Sequence, residues 1–260
     1  MFVLTSKDNA NVKSTVKLKK SARARRESGL FIAEGVRVCY DAVLSNANVV
    51  NFFSTENAMK KHSEIFHKIS EVADKTILVT PAVFAQISDT QSPQGFLCVI
   101  KTLDKISQFD TIKNSGKFLA LENVQDPNNL GTVLRSAEAF AISGIIMSKD
   151  CCDIYNPKVV RGSMGAVFRL PFLICDTIKD FLYANPQITS FAAVVDSGAE
   201  KITDVQFAAP CVAVIGNEGN GLLQTTVDSC SQKITIPMTG KAESLNASVA
   251  ASIIIWEMIK

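Results

Sequence analysis

Asn, Arg, Glu, Ser and Gly clustered at the ends of apolar runs are the residue types of this 260-residue chain that could do chemistry. They stand in three polar stretches that each follow an apolar run: LENVQDPNNLGTVLRSAEAF from Leu121, AVIGNEGNGL from Ala213 and ITIPMTGKAESLNASVAASIIIWEM from Ile234. In the first, Asp126-Pro127-Asn128-Asn129-Leu130-Gly131 joins a turn-forming Pro to Asn suited to capping the next helix. Arg135 lies six residues after Asn129, so both are expected near the first turns of that helix, pointing toward the C-terminal edge of the sheet, where open α/β sheets bind ligands. Residue type alone leaves Arg135 two readings, a ligand-facing group or a surface arginine.

The second stretch, Gly216-Asn217-Glu218-Gly219-Asn220-Gly221, matches neither GxGxxG nor GxxxxGK[ST], so phosphate binding is not indicated. It reads either as a tight turn before a helix at Leu222 or as a strand end whose glycines let a flat, adenine-sized ligand approach the backbone. In the third, Ser244 is placed to cap a helix over 245–256. Ala247, Ser248, Ala250, Ala251 and Ser252 allow that helix to pack closely against a neighbour.

Other chemistries are excluded. His62 and His67 are the only histidines, and both lie in the first half, so no histidine triad can form in the second; no metal site is expected. Seven cysteines without a CxxC pair point to free, mostly buried thiols in a reducing compartment and hence to a cytoplasmic protein. Cys151-Cys152 is expected to pack rather than react. The apolar stretch 247–258 is too short to span a bilayer.

The elements that must position these residues alternate strand and helix. Strands are expected at 31–33, 49–53, 76–79 and 95–100, with an amphipathic helix over 56–72 and a helix starting at Thr80-Pro81. After a polar linker at 105–116, strands at 118–121, 144–147, 169–174, 190–195, 211–215 and 233–236 alternate with helices over 130–141 and 158–164. The fold class is therefore α/β, mostly parallel, with a smaller N-terminal domain (1–104) and a larger C-terminal one (117–260). Net charge is +2, but residues 1–37 hold nine Lys/Arg against three acids, leaving 18 against 22 for the remainder. Lys20, Arg23, Arg25 and Arg26 lie in this basic stretch, which reads as a phosphate-contacting surface or as a solvated helix. An organelle-targeting presequence is a third reading of it.

Taken in this order and spacing, the three C-terminal stretches resemble the SpoU/TrmH branch of the SPOUT methyltransferases. Lys20-Ser21-Ala22-Arg23, the segment GLFIAEG from Gly29 and DTQSPQG from Asp89 look like the substrate-binding domain these enzymes carry, which is related to small ribosomal RNA-binding proteins. The resemblance implies a C-terminal trefoil knot, which nothing in the strand pattern indicates, and a homodimer. It implies transfer of a methyl group from S-adenosylmethionine to an RNA ribose 2'-hydroxyl. By the same resemblance Asn129, Arg135, Glu218, Ser244 and Asn246 belong to the catalytic site, while Gly216, Ile236 and Leu245 hold the cofactor. Large-subunit ribosomal RNA is the expected substrate and transfer RNA the alternative. A non-catalytic RNA-binding or ribosome-assembly protein is the reading from another class; a dinucleotide-dependent oxidoreductase lacks its fingerprint. Arg135 would act either as a general base or as a charged phosphate anchor.

Overall fold

Apolar runs of four or five residues become strands buried on both faces where helices cover a parallel sheet, and several such runs recur along the chain. A computed structural model describes residues 3–103 and 105–260. Its elements begin with β1 (Val3–Leu4), α1 (Ala10–Lys20), α2 (Ala22–Ser28), β2 (Leu30–Glu34), α3 (Val36–Leu44), β3 (Val49–Ser54), α4 (Glu56–Lys61), α5 (Ser63–Val72), β4 (Lys75–Val79), α6 (Pro81–Ile87) and β5 (Phe96–Lys101). There follow α7 (Ile106–Ile112), β6 (Lys117–Leu121), α8 (Pro127–Ala139), β7 (Gly144–Ser148), α9 (Pro157–Gly162), α10 (Ala166–Arg169), β8 (Phe172–Cys175) and α11 (Ile178–Ala184). The chain closes with β9 (Thr189–Ala193), β10 (Glu200–Lys201), β11 (Cys211–Ile215), α12 (Gln224–Val227), β12 (Gln232–Thr235) and α13 (Ala247–Ile259).

The first unit comprises residues up to 103 together with 153–169. Its five strands lie in the order β1-β4-β3-β5-β2, with β5 antiparallel to both neighbours. Side chains alternate across the sheet. Phe53 and Leu97 face Val12, Leu18 and Phe84 of α1 and α6, whereas Phe52 and Phe96 meet Phe66 of α5. Thr80 caps α6 with Pro81 in its first turn, as the sequence indicates. The helix expected over 56–72 is broken into α4 and α5 because His62 leaves the helical region, at φ −125° and ψ 44°. Residues 153–169, expected within the C-terminal domain, group here: the Tyr155 ring lies 4.5 Å from that of Phe31, and the Tyr155 hydroxyl oxygen accepts from the Leu103 N–H at 2.8 Å.

The second unit, 105–152 with 170–260, holds seven strands in the order β10-β12-β9-β11-β6-β7-β8, every adjacent pair parallel. The stretch expected as a linker contains α7, whose Phe109 is buried with its ring 5.0 Å from that of Phe118. Asp104, the last residue of the expected N-terminal domain, lies outside the described residues, as do the first two. No helix among the described residues is long and apolar enough to cross a membrane. From β6 the chain moves to β7 on one side, while β11 and β9 lie on the other. Adjacent strands whose connections leave in opposite directions open a crevice at their C-terminal ends, the usual ligand position in open α/β sheets.

Candidate active site

The three polar loops meet at that crevice. At the end of β6, Glu122 is 2% exposed and accepts from the Leu223 N–H at 2.8 Å and the Thr226 hydroxyl at 2.5 Å, which ties the loop after β11 to this strand. Helix α8 then starts at Pro127, and its cap is Asp126, whose carboxylate accepts from the Asn128 N–H at 2.8 Å. Capping by Asp126 leaves the Asn129 side chain free for another task. Asn129, 6% exposed, donates through Nδ2 to Glu218 Oε1 at 2.9 Å and accepts at Oδ1 from Asn246 Nδ2 at 3.0 Å.

Gly216 follows β11 where the loop doubles back on itself. A Cβ there would lie 2.1 Å from the carbonyl carbon of Gly221, so no other residue fits. Asn217 and Gly221 exchange two backbone hydrogen bonds of 3.0 Å, and the Asn217 amide donates to the Asn123 carbonyl at 2.8 Å. This hairpin presents Glu218 to the first loop, where its carboxylate also accepts from the N–H groups of Gln125 and Asp126, each at 3.4 Å. Partial burial pushes the Glu218 carboxyl up, but donors from Asn129 and the backbone outweigh it and hold the group below the ordinary carboxylate value.

The third loop corrects one expectation. Helix α13 begins at Ala247 and is capped by Asn246, not Ser244: Asn246 Oδ1 accepts from the Ser248 N–H at 2.9 Å and from its hydroxyl at 2.6 Å. An amide two residues before the Ser248 N–H closes the cap directly, and Ser244 stands too far back to do so. The relay Asn246 to Asn129 to Glu218 therefore has a fixed direction. A carboxylate only accepts and a backbone N–H only donates, so both ends dictate which way the two amides face.

Beside the relay lies a pocket of about 480 Å³ between the ends of β9, β11 and β12 and the start of α13. Gly216, Ile236, Ser244 and Leu245 line it, Ala250 and Ile254 of α13 contribute small and apolar surface, and Glu218 belongs to the same lining. Bare backbone at Gly216 admits a flat ring, the apolar side chains cover its faces, and the carboxylates of Glu218 and Asp196 suit a cationic tail. The pocket thus fits an adenosine bearing a sulfonium. Cys151 is no nucleophile: burial pushes its thiol up, and its Sγ donates to the Leu121 carbonyl at 3.3 Å.

Two expected residues lie elsewhere. Six helical residues are about 1.7 turns, so Arg135 projects from a different face of α8 than Asn129; it is exposed and makes no hydrogen bond or ion pair among the described residues. Arg25, expected on a phosphate-binding surface, is 4% exposed, bonded to Asp153 at 2.7 Å and to the Leu18 carbonyl at 2.6 Å, which leaves no face for a phosphate. Lys20, Arg23 and Arg26 are exposed on α1 and α2, Arg23 paired with Glu27 one turn on. Glu122 and Asn217 were not singled out by sequence. An acid directly after four apolar strand residues was the available signal for Glu122.

Residues 116–256 match the family model described as SpoU rRNA Methylase, and residues 9–98 match an MRM3-like substrate binding domain. The chain is 27% identical to the 23S rRNA (uridine(2479)-2'-O)-methyltransferase of Streptomyces viridochromogenes, covering 97% of this chain and 90% of that one. It is 24% identical to the 23S rRNA (guanosine(2553)-2'-O)-methyltransferase of Bacillus subtilis, over 99% of each. Among solved structures, an AdoMet-bound rRNA methyltransferase from Sinorhizobium meliloti superposes with a TM-score of 0.87 at 26% identity, over 99% of this chain and 97% of that one.

Proposed function

This chain belongs to the SpoU rRNA methylase family, and from that premise we propose that it transfers a methyl group from S-adenosylmethionine to a ribose 2'-hydroxyl of large-subunit ribosomal RNA. The observation that carries the reading is the relay Asn246–Asn129–Glu218 set against the Gly216 pocket. A decayed site in a non-catalytic protein would have no reason to keep two amides and a carboxylate in one register. The names of the Streptomyces and Bacillus relatives, both 23S rRNA 2'-O-methyltransferases, support ribosomal over transfer RNA.

Bound S-adenosylmethionine supplies an electrophilic methyl on a sulfonium. Gly216, Ile236 and Leu245 hold its nucleoside, and Ser244 and Asn246 position the ribose, whose 2'-oxygen must lie in line with the methyl. Asn129 and Glu218 fix Asn246 and the loop around it. Arg135, an exposed guanidinium without a partner among the described residues, is suited to a phosphate of the target nucleotide. Lys20, Arg23 and Arg26 add phosphate contacts from the N-terminal unit. Val249 and Trp256, each 47% exposed on α13, form the apolar face of a homodimer, and the family implies a trefoil knot in the C-terminal unit. Incubation with labelled S-adenosylmethionine and unmodified ribosomal and transfer RNA transcripts tests the proposal. Label is expected in large-subunit RNA; label in transfer RNA alone overturns the substrate, and none in either overturns the activity.

A further inference from the structure

Glu34 is a buried carboxylate, 6% exposed, that takes no part in the chemistry above. It gathers the start of one loop: Oε1 accepts from the hydroxyls of Ser88 and Thr90, the latter at 2.7 Å, and Oε2 accepts from the Asp89 N–H at 2.7 Å. Lys19 of α1 holds the same turn from outside, donating to the carbonyls of Gln86 at 2.8 Å and Ser88 at 2.7 Å. The far end is equally fixed. Gln94 Oε1 accepts from the Val36 N–H at 2.9 Å, supplying the cap that Gly35 lacks the side chain to give. Gly95 sits at φ +84° with room for no Cβ, since one would lie 2.6 Å from Ala58 and Thr55.

Between these anchors Gln91, Ser92 and Pro93 are exposed, and the side chains of Gln91 and Ser92 make no hydrogen bond among the described residues. Cations stand at the anchors. Arg161 of α9 reaches Asp89 at 3.2 Å with its side chain 37% exposed, and Arg37, the residue after Val36, is exposed with no partner among the described residues. Burying a carboxylate is costly unless donors satisfy it; here the donors are the loop's own hydroxyls and N–H, so Glu34 fixes the loop's shape in advance of any ligand. A rigid tip offering one amide and one hydroxyl, with the Arg161 guanidinium on Asp89 at its base and Arg37 next in sequence to the anchored Val36, has the chemistry that reads unstacked RNA bases while arginines hold the phosphates.

Resting on the function proposed above, we infer that residues 91–94, clamped by Glu34, are a base-reading element that sets which RNA the enzyme accepts, distinct from the phosphate contacts of α1 and α2. Gln91 and Ser92 make the contacts; Glu34 is a positioning residue. The test is the variant Gln91→Ala/Ser92→Ala, both changes on the surface, compared with Lys20→Ala/Arg26→Ala. Binding to an in vitro transcript of large-subunit ribosomal RNA is measured across a salt series, alongside methyl transfer and S-adenosylmethionine affinity. The loop variant should weaken RNA binding and raise KM for RNA about tenfold, the equivalent of one well-made hydrogen-bonded contact. Its kcat, cofactor affinity and melting temperature should stay at wild-type values, and its salt slope should be unchanged. The basic-helix variant should instead flatten the salt slope by about one unit per lost phosphate contact. Wild-type RNA binding by the loop variant overturns the inference, as does a loss accompanied by a flatter salt slope. Wild-type protein that binds this RNA but transfers no methyl overturns the proposed activity alone, because binding still reports on the loop.

Discussion

Replacing Asn129 with aspartate exchanges one NH2 of the relay for an oxygen and turns the 2.9 Å hydrogen bond to Glu218 into a contact between two carboxylates. The link to Asn246 survives, since its Nδ2 still meets an oxygen. The lost hydrogen bond to a charged acceptor is worth about 1.5–3 kcal/mol. Repulsion between unit charges 4 Å apart is about 4 kcal/mol at an effective dielectric of about 20; Glu218 is exposed, and screening reduces this to about 1 kcal/mol. The variant should therefore be destabilised by about 2–4 kcal/mol near pH 8, or about 5–15 °C in Tm. Acid should reverse the effect. Both carboxyls ionise near pH 4 in the unfolded chain (roughly 3.9 and 4.3), whereas the folded pair shares a proton to higher pH. The folded state then binds more protons than the unfolded one above about pH 4, so stability falls as pH rises through that window and returns as pH is lowered. With the proton shared, one carboxyl donates to the other and the relay closes again. Thermal melts and methyl transfer at pH 5.5 and 8.5, with Asn129→Ala alongside, measure this. Parallel pH profiles for the aspartate and alanine variants would refute the relay.

Other substitutions separate the remaining roles. Gly216→Ala places a Cβ 2.1 Å from the Gly221 carbonyl carbon, so the hairpin must open: titration calorimetry should show cofactor affinity reduced more than tenfold, about 1.4 kcal/mol, and the melting temperature should fall as well. Arg25→Ala strands the half-buried Asp153 carboxylate and should cost about 3 kcal/mol in denaturant unfolding, whereas Arg26→Ala should stay within about 0.5 kcal/mol. Trp256→Glu puts a charge on the exposed face of α13; if that face forms the homodimer proposed above, sedimentation should report a dimer for the wild type and a monomer for the variant.

Much of this architecture is legible from sequence because its signals are local. Strand 211–215 is a bare apolar run, and the Gly216 loop carries its glycines at the strand end. Thr80-Pro81 contains a cap and a first turn in two adjacent residues. What is not legible depends on distance or competition. Nothing near Arg25 announces that Asp153, 128 residues away, will bury it. Ser244 and Asn246 are both good caps, and only the start of α13 decides between them. The placement of 153–169 with the first unit follows from Tyr155 and Phe168 meeting Phe31, a contact without periodicity in the sequence. Arg135 is different: helical geometry alone puts it on another face of α8 than Asn129.

The central claim is that the relay beside the Gly216 pocket is where a methyl group reaches a ribose. Single-turnover transfer from labelled S-adenosylmethionine to saturating large-subunit RNA, followed by alkaline hydrolysis, tests it in wild type, Asn129→Ala and Arg135→Ala. The account predicts label in one alkali-resistant dinucleotide and a rate lowered about 100-fold or more in both variants, with cofactor affinity retained. Label released by alkali with the mononucleotides, or wild-type rates in both variants, would contradict it.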